Sequence, residues 1–181
     1  MAIPIIPPLS FATPRLTLQA ARPEHAESLF EAYTGRPEAA LYLQRREHSS
    51  PAQTLAVIET WGAGKWLDNK RFAWTILLPE GKAIGLFLML IDNTSAEIHY
   101  GIGTAHWGHG FATEAGKAVM SWVINESGLS DVATCCATQH IASLKVLEKI
   151  GLARIKLLPA HIQLAATGLA TDGWLYRWTR S

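Results

Sequence analysis

The chain has 181 residues, 49% apolar and 17% charged, with 16 basic against 15 acidic side chains and a formal net charge of +1. That composition predicts one well-cored globular domain spanning residues 1–181 and excludes a disordered or fibrous chain. The balanced charge excludes a basic field of the kind that binds nucleic acid or an anionic membrane, and no apolar run reaches the ~20 residues of a membrane helix.

Residues 1–14 are apolar, broken by prolines and without a basic leading segment, so they predict an irregular lead-in rather than a signal peptide. Arg15 to Ala20 alternates apolar and polar side chains, as a strand does. Pro23 suits the first turn of a helix whose stripe is Ala26, Leu29, Phe30 and Tyr33. A second helical region runs from Pro51 to Asp68. Three strands follow: Phe72–Leu78, Ala83–Ile91 and Ser95–Gly103, separated by turns at Pro79–Lys82 and Asp92–Ser95. The third places Ala96, Ile98, Tyr100 and Ile102 on one face, and Glu97, His99, Gly101 and Gly103 on the other.

The stretch Trp107–Ala115 (WGHGFATEA) then forms a glycine turn into a helix opened by Thr113 and Glu114 and striped by Ala115, Val119, Trp122 and Val123. Asp131–Thr138 reads as a buried strand. Ser143, Val146, Leu147 and Ile150 stripe a short helix ended by Gly151, and strands return near Leu152–Leu158 and Trp174–Trp178. The order predicts a mixed α/β domain whose strand–turn–helix–strand crossover carries the function. Cys135 and Cys136 are neighbours on a strand, point to opposite faces and form no disulfide framework, which predicts a reducing, cytoplasmic setting.

A glycine turn between strand and helix aims backbone N–H groups and a helix N-terminus at one point, a geometry suited to phosphate. A mononucleotide P-loop fails, because no lysine follows Gly108 or Gly110. The dinucleotide fingerprint fails at its last position in both Gly101–His106 and Gly108–Thr113. Trp107-Gly108-His109-Gly110-Phe111-Ala112 followed by Thr-Glu-Ala instead resembles the acyl-CoA signature of the GNAT superfamily of N-acetyltransferases, in the branch that acetylates ribosomal-protein N-termini. Thr13–Leu18 is similar to that branch's opening strand, Phe72–Gly85 to its central hairpin, and Ser143–Leu152 to its second signature. The chain departs from the pattern at Trp107 (usually Gln or Arg), at His109 (usually Lys or Arg) and at His140 (usually Asn).

The resemblance implies a central, twisted, mostly antiparallel sheet of about seven strands flanked by helices, with a splayed strand pair at the cofactor site. It implies acetyl-CoA as co-substrate and, as partner, a primary-amine acceptor that is either a protein or peptide N-terminus or a small molecule, with no metal. The pantetheine arm would pair with the strand near Ile102 and Gly103, and the pyrophosphate would rest on Trp107, Gly108, His109, Gly110, Phe111, Ala112 and Thr113, with His140 and Ser143 also touching the cofactor. Glu97 is the candidate general base, with His99 on the same face as hydrogen-bond partner or proton relay; each also reads as a structural side chain. Ser143 is the candidate proton donor to the departing thiolate, since relatives' tyrosine is missing from His140 to Gly151. The segment Gly35–Trp66 would wall the acceptor site, with Trp61, Trp66 and Trp107 as further candidates. An amine acetyltransferase and a non-catalytic CoA- or acyl-CoA-binding module both fit, as does a monomer or a homodimer.

Overall fold

The computed structural model describes residues 4–67 and 70–181. Eight strands form one sheet in the order β1-β2-β3-β4-β5-β6-β8-β7. They are β1 (Ser10–Ala12), β2 (Thr17–Ala20), β3 (Arg71–Leu77), β4 (Ala83–Asp92), β5 (Ser95–Ile102), β6 (Asp131–Ala137), β7 (Ala153–Gln163) and β8 (Ala170–Thr179). Every neighbouring pair is antiparallel except β5 with β6. That parallel pair requires a crossover, which α4 (Phe111–Asn125) supplies.

The period-2 alternation of the strands feeds two cores. Phe72, Trp74, Ile76, Phe87, Met89 and Ile98 bury with Val119, Met120 and Val123 of α4 and Leu144 and Leu147 of α5 (Ile141–Lys149). Ala73, Leu77 and Leu86 bury on the opposite face with Leu29 of α1 (Ala26–Leu29), Tyr33 of the π-helical turn Phe30–Thr34, and Ile58 of α3 (Pro51–Trp61). Each large apolar side chain taken fully out of water contributes about 1.5–3 kcal/mol.

Four sequence expectations change. The lead-in is not irregular throughout: β1 lies within it and pairs with β2 along Ser10↔Gln19 to Ala12↔Thr17, which makes the eighth strand. A three-residue strand carries too little alternation to stand out from its sequence, and long-range pairing makes it. The helix from Pro51 ends at Trp61, where Gly62 turns extended and a 3-10 turn (Ala63–Lys65) follows; the expected end at Asp68 lies outside the described residues. A short helix not expected from the sequence, α2 (Pro37–Ala40), begins on a proline. Helix α4 also starts at Phe111, two residues before the expected Thr113.

Glu114, in the first turn of α4, ties that helix to the chain's start. Its carboxylate accepts the Thr13 hydroxyl at 2.7 Å, the Arg15 backbone N–H at 2.9 Å and the Arg15 Nε–H at 2.7 Å, and pairs with the guanidinium at 2.6 Å. Partial burial pushes the Glu114 acid upward, but the bonds from Thr13 and Arg15 outweigh it and hold the group below the usual carboxylate range. A depressed folded-state value stabilises the fold above the unfolded value and loses that contribution as pH falls through the folded one. Glu114→Gln is therefore expected to cost about 1–3 kcal/mol at neutral pH, read as a lowered Tm in thermal melts. The gap from the parent protein should close as both are melted at progressively more acid pH.

Candidate active site

Strands β5 and β6 pair only over Ser95↔Asp131, Ala96↔Val132 and Glu97↔Ala133. Beyond that point β5 stays with β4 as far as Gly85↔Ile102, while β6 stays with β8 as far as Ala137↔Gly173. The two strands part, and a cleft of about 390 Å³ opens between them. Gly103 N–H donates to Ile84 C=O at 2.7 Å, which identifies the odd-numbered residues of β5 as those bonded to β4. The N–H and C=O groups of Tyr100 and Ile102 therefore face away from β4, into the gap. The indole N–H of Trp107 takes the Ile102 carbonyl at 2.7 Å.

Gly103 has a different task from the one expected. Its N–H is committed to β4, and a Cβ there would lie 2.1 Å from the Ala32 carbonyl oxygen. At Gly101 a Cβ would lie 1.9 Å from the Tyr33 hydroxyl. Both glycines let the π-helical turn lie directly on the end of β5.

At the cleft's far end Thr104–His106 makes a 3-10 turn, and the chain then runs through Gly108 (φ 76) and Gly110 (φ 78) into α4. The left-handed backbone at both positions favours glycine. The first bond of the α4 ladder is Glu114 N–H to Gly110 C=O at 3.0 Å, so the N–H groups of Phe111, Ala112 and Thr113 precede it. Those of Gly108, His109 and Gly110 likewise find no acceptor among the described residues. Six consecutive donors and a helix N-terminus make a cradle for an anion. His109 is not aimed into it as a free cation: its Nδ1 lies 2.8 Å from the Trp107 carbonyl and its ring stacks on Phe111. Arg15 covers Phe111 at 4.8 Å, and its guanidinium would be 3.7 Å from a Cβ on Gly110.

The titratable groups fall on opposite sides of the cleft. On the α1 face, Glu97 Oε1 and His99 Nε2 are 2.8 Å apart. His99 lines the cleft, whereas Glu97 lines the open groove beside it, with Arg71, Asp131 and Arg177. The bond from His99 holds the Glu97 carboxyl below its usual range, against burial, which raises it. On the α5 face, the Tyr100 hydroxyl lies 3.0 Å from both the carbonyl oxygen and Oγ of Ser143. Burial pushes the Tyr100 phenol far above its ordinary value, so it remains protonated. Ser143 also hydrogen-bonds the buried Cys136 thiol, which burial raises as well.

Tyr100 is the site residue that sequence reasoning misses. Its parity with Ile98 and Ile102 makes it look like core, yet its hydroxyl crosses the gap to α5 and places a phenol where no tyrosine of that helix stands. His140 caps α5 and carries no side-chain hydrogen bond; its ring stacks on Tyr42 at 4.8 Å, and burial lowers its basicity. It thus walls the cleft beside a strap, residues 41–48, which is tied down by Ala165 N–H to Leu43 C=O (3.0 Å) and His48 N–H to Thr34 C=O (2.8 Å). Trp61 lines the same cleft. Trp66 does not: it is 3% exposed and packs on Phe72 and Trp74 in the core. Among the described residues no cluster of three or more His, Cys, Asp or Glu is arranged to hold a metal ion, and no helix is long and apolar enough to cross a membrane.

Comparison with known proteins agrees with this geometry. Residues 15–153 match the family model for the acetyltransferase (GNAT) domain. The uncharacterized N-acetyltransferase YoaA of Bacillus subtilis is 27% identical over 164 residues, covering 88% of this chain and 92% of that protein. Among solved structures, RimL, the ribosomal L7/L12 α-N-protein acetyltransferase in complex with coenzyme A, superposes with a TM-score of 0.83 at 17% identity, over 97% of this chain and 98% of its own. The ribosomal-protein-S5-alanine acetyltransferase of Vibrio fischeri gives 0.80 at 17% identity, over 96% and 98%. The cradle makes a direct prediction. Gly110→Ala, strained at φ 78 and adding a Cβ at the mouth of the cradle beside the Arg15 guanidinium, is expected to weaken coenzyme A binding by at least about tenfold in calorimetry. Gly168→Ala, strained to a similar degree (φ 72) but in the β7–β8 turn, should leave that binding unchanged.

Proposed function

The chain belongs to the GNAT acetyltransferase family, whose acetyl donor is acetyl-CoA, and from that premise we propose that residues 1–181 work as one unit moving the acetyl group to a primary amine by direct attack in a ternary complex. The observation that carries this reading is the continuity of the parted β5 edge with the cradle at α4. The gap-facing N–H groups of Tyr100 and Ile102 and the Tyr100 carbonyl suit an extended amide-bearing arm laid along the gap as an added strand. The N–H groups of Gly108 to Thr113 suit the pyrophosphate at its end. Trp107 holds the turn between the two through its bond to Ile102. Gly103 acts by letting the π-helical turn approach, and His140 by walling the cleft.

The amine nitrogen, neutral when it attacks, forms a bond to the thioester carbonyl carbon. A gap-facing N–H of β5 is suited to stabilise the charge that develops on the carbonyl oxygen. The nitrogen then sheds its proton to His99, which lines the cleft, while Glu97 behind it orients the ring and stabilises its protonated form. As the carbon–sulfur bond breaks, the Ser143 hydroxyl, supported by Tyr100, donates a hydrogen bond to the departing thiolate, which takes its proton from solvent in the open cleft. Glu97 is thus a positioning carboxylate with His99 between it and the substrate.

Two variants test this reading. His99→Ala is expected to lower kcat by about 10²–10⁴-fold in thiol-release assays while calorimetry still detects acetyl-CoA binding. Glu97→Gln should lower kcat less, because the amide still hydrogen-bonds the His99 ring and only the charge behind it is lost. Unchanged turnover in both variants removes the dyad from the mechanism. Acetyl-CoA binding with no thiol release across a broad amine panel would leave a non-catalytic CoA-binding module as the better reading.

A further inference from the structure

The charges between Arg36 and His48 give no single preference in sequence, but the fold sorts them. Arg36 turns away to the Glu31 carbonyl, and Glu38 and Arg46 are exposed. Of this set, only Arg45 and His48 among the described residues line the cleft; Glu47 does not. Among the described residues no aspartate, glutamate or lysine lines it with them, and the Glu97 carboxylate stands behind His99 in the neighbouring groove.

Arg45 is partly buried, with its guanidinium 5.2 Å above the Tyr33 ring. One N–H donates to the Arg46 carbonyl at 3.1 Å. A guanidinium carries five N–H donors, and Arg45 makes no ion pair among the described residues, unlike Arg15, Arg154 and Arg177. Burial disfavours protonation of His48 and His140, and Arg45 disfavours it further at His48, so the guanidinium is the fixed charge on this wall. The remaining walls on this side are Tyr33, Tyr42, Trp61, Leu86 and Leu88. A permanent cation with spare donors, placed among aromatic and aliphatic walls with no carboxylate beside it, is a site for an anion attached to an apolar body. The volume, about 390 Å³, lies at the small end of ligand pockets (roughly 300–1,000 Å³) and is shared with the end of the acetyl-bearing arm.

We propose that the acceptor is a small primary amine that also carries a carboxylate or phosphate beside an apolar or aromatic body, and that Arg45 binds this anion against the Tyr33 ring. The inference rests on the acetyltransferase reading of the same cleft. It places polyamines at a disadvantage, because their second cation would face Arg45 with no carboxylate in the cleft to receive it.

The test uses the full chain saturated with coenzyme A, so that acceptor binding is measured without turnover. Calorimetry compares phenylalanine with phenethylamine, which differ by one carboxylate, together with O-phosphoethanolamine, spermidine and a neutral tripeptide. Phenylalanine is expected to bind about ten- to a hundredfold more tightly than phenethylamine. Arg45→Gln should abolish that ratio while keeping the parent's Tm and coenzyme A affinity. O-phosphoethanolamine binding as well as phenylalanine, although it lacks the ring, identifies phosphate as the preferred anion. Equal or tighter binding of phenethylamine, spermidine or the tripeptide overturns the proposal, as does a ratio that survives Arg45→Gln or the absence of binding by either anionic amine. Thiol release is then followed with acetyl-CoA and the same amines. Selective, Arg45-dependent binding without release would leave the anion site standing and remove the catalytic reading.

Discussion

Two neighbouring parallel strands share three residue pairs and then separate, and the site depends on that separation. Each strand is held by its other neighbour: β5 by β4 as far as Ile102, and β6 by β8 as far as Ala137. Neither can close the gap without breaking into its antiparallel ladder, eight pairs for β5 with β4 and seven for β6 with β8, in which each hydrogen bond contributes about 0.5–1.5 kcal/mol. Backbone N–H and C=O groups facing such a gap are costly if sealed from both water and partners. The gap therefore stays open to solvent or ligand, and the Tyr100 hydroxyl crosses it to Ser143 without filling it.

The anion cradle follows from the same division of the sheet. Because β6 lies parallel to β5, the chain must return along the sheet before entering it, and α4 is that return. Its N-terminus consequently sits at the end of β5, where Ile102 takes the Trp107 indole N–H. The loop holds no lysine or arginine, so its positive field comes from backbone dipoles rather than a side-chain charge. Arg15 lies nearby but is committed to Glu114 and to the face of Phe111. Its principal work is mechanical: it ties the segment preceding β2 to the first turn of α4 and fixes the direction in which the free N–H groups point.

What the sequence makes legible is what depends on local alternation. The parity of Ser95–Gly103 separates Glu97 and His99 from Ile98 and Ile102, and the structure keeps that separation because one face packs on α4 while the other meets the π-helical turn. The paired glycines of the loop are legible because a left-handed backbone needs them. Features made by distant pairings are not legible: β1 exists only as a partner of β2, and the bond of Glu114 to Thr13 and Arg15 spans about a hundred positions. Tyr100 is misread for a related reason. A phenol in an apolar stripe packs as a hydrophobe over most of its surface, and nothing in the stripe reveals that its hydroxyl finds Ser143, 43 residues on. The strap is beyond local pattern as well, since Tyr42 and Leu43 acquire their roles from His140 and Ala165.

The parting of the strands also gives the reacting groups separate approaches. The arm of acetyl-CoA would enter from the cradle at α4, and the amine from beneath the strap. The proton would leave through His99 toward Glu97, whose side chain is 55% exposed in the adjacent groove. A carboxylate in direct contact with the amine would favour the ammonium form, which has no lone pair with which to attack. With His99 between Glu97 and the cleft, the proposed proton acceptor would lie near the nucleophile and the negative charge away from it. Arg45, stacked on Tyr33, would fit that arrangement, because it would hold the acceptor through an anion and bring no negative charge of the protein to the amine.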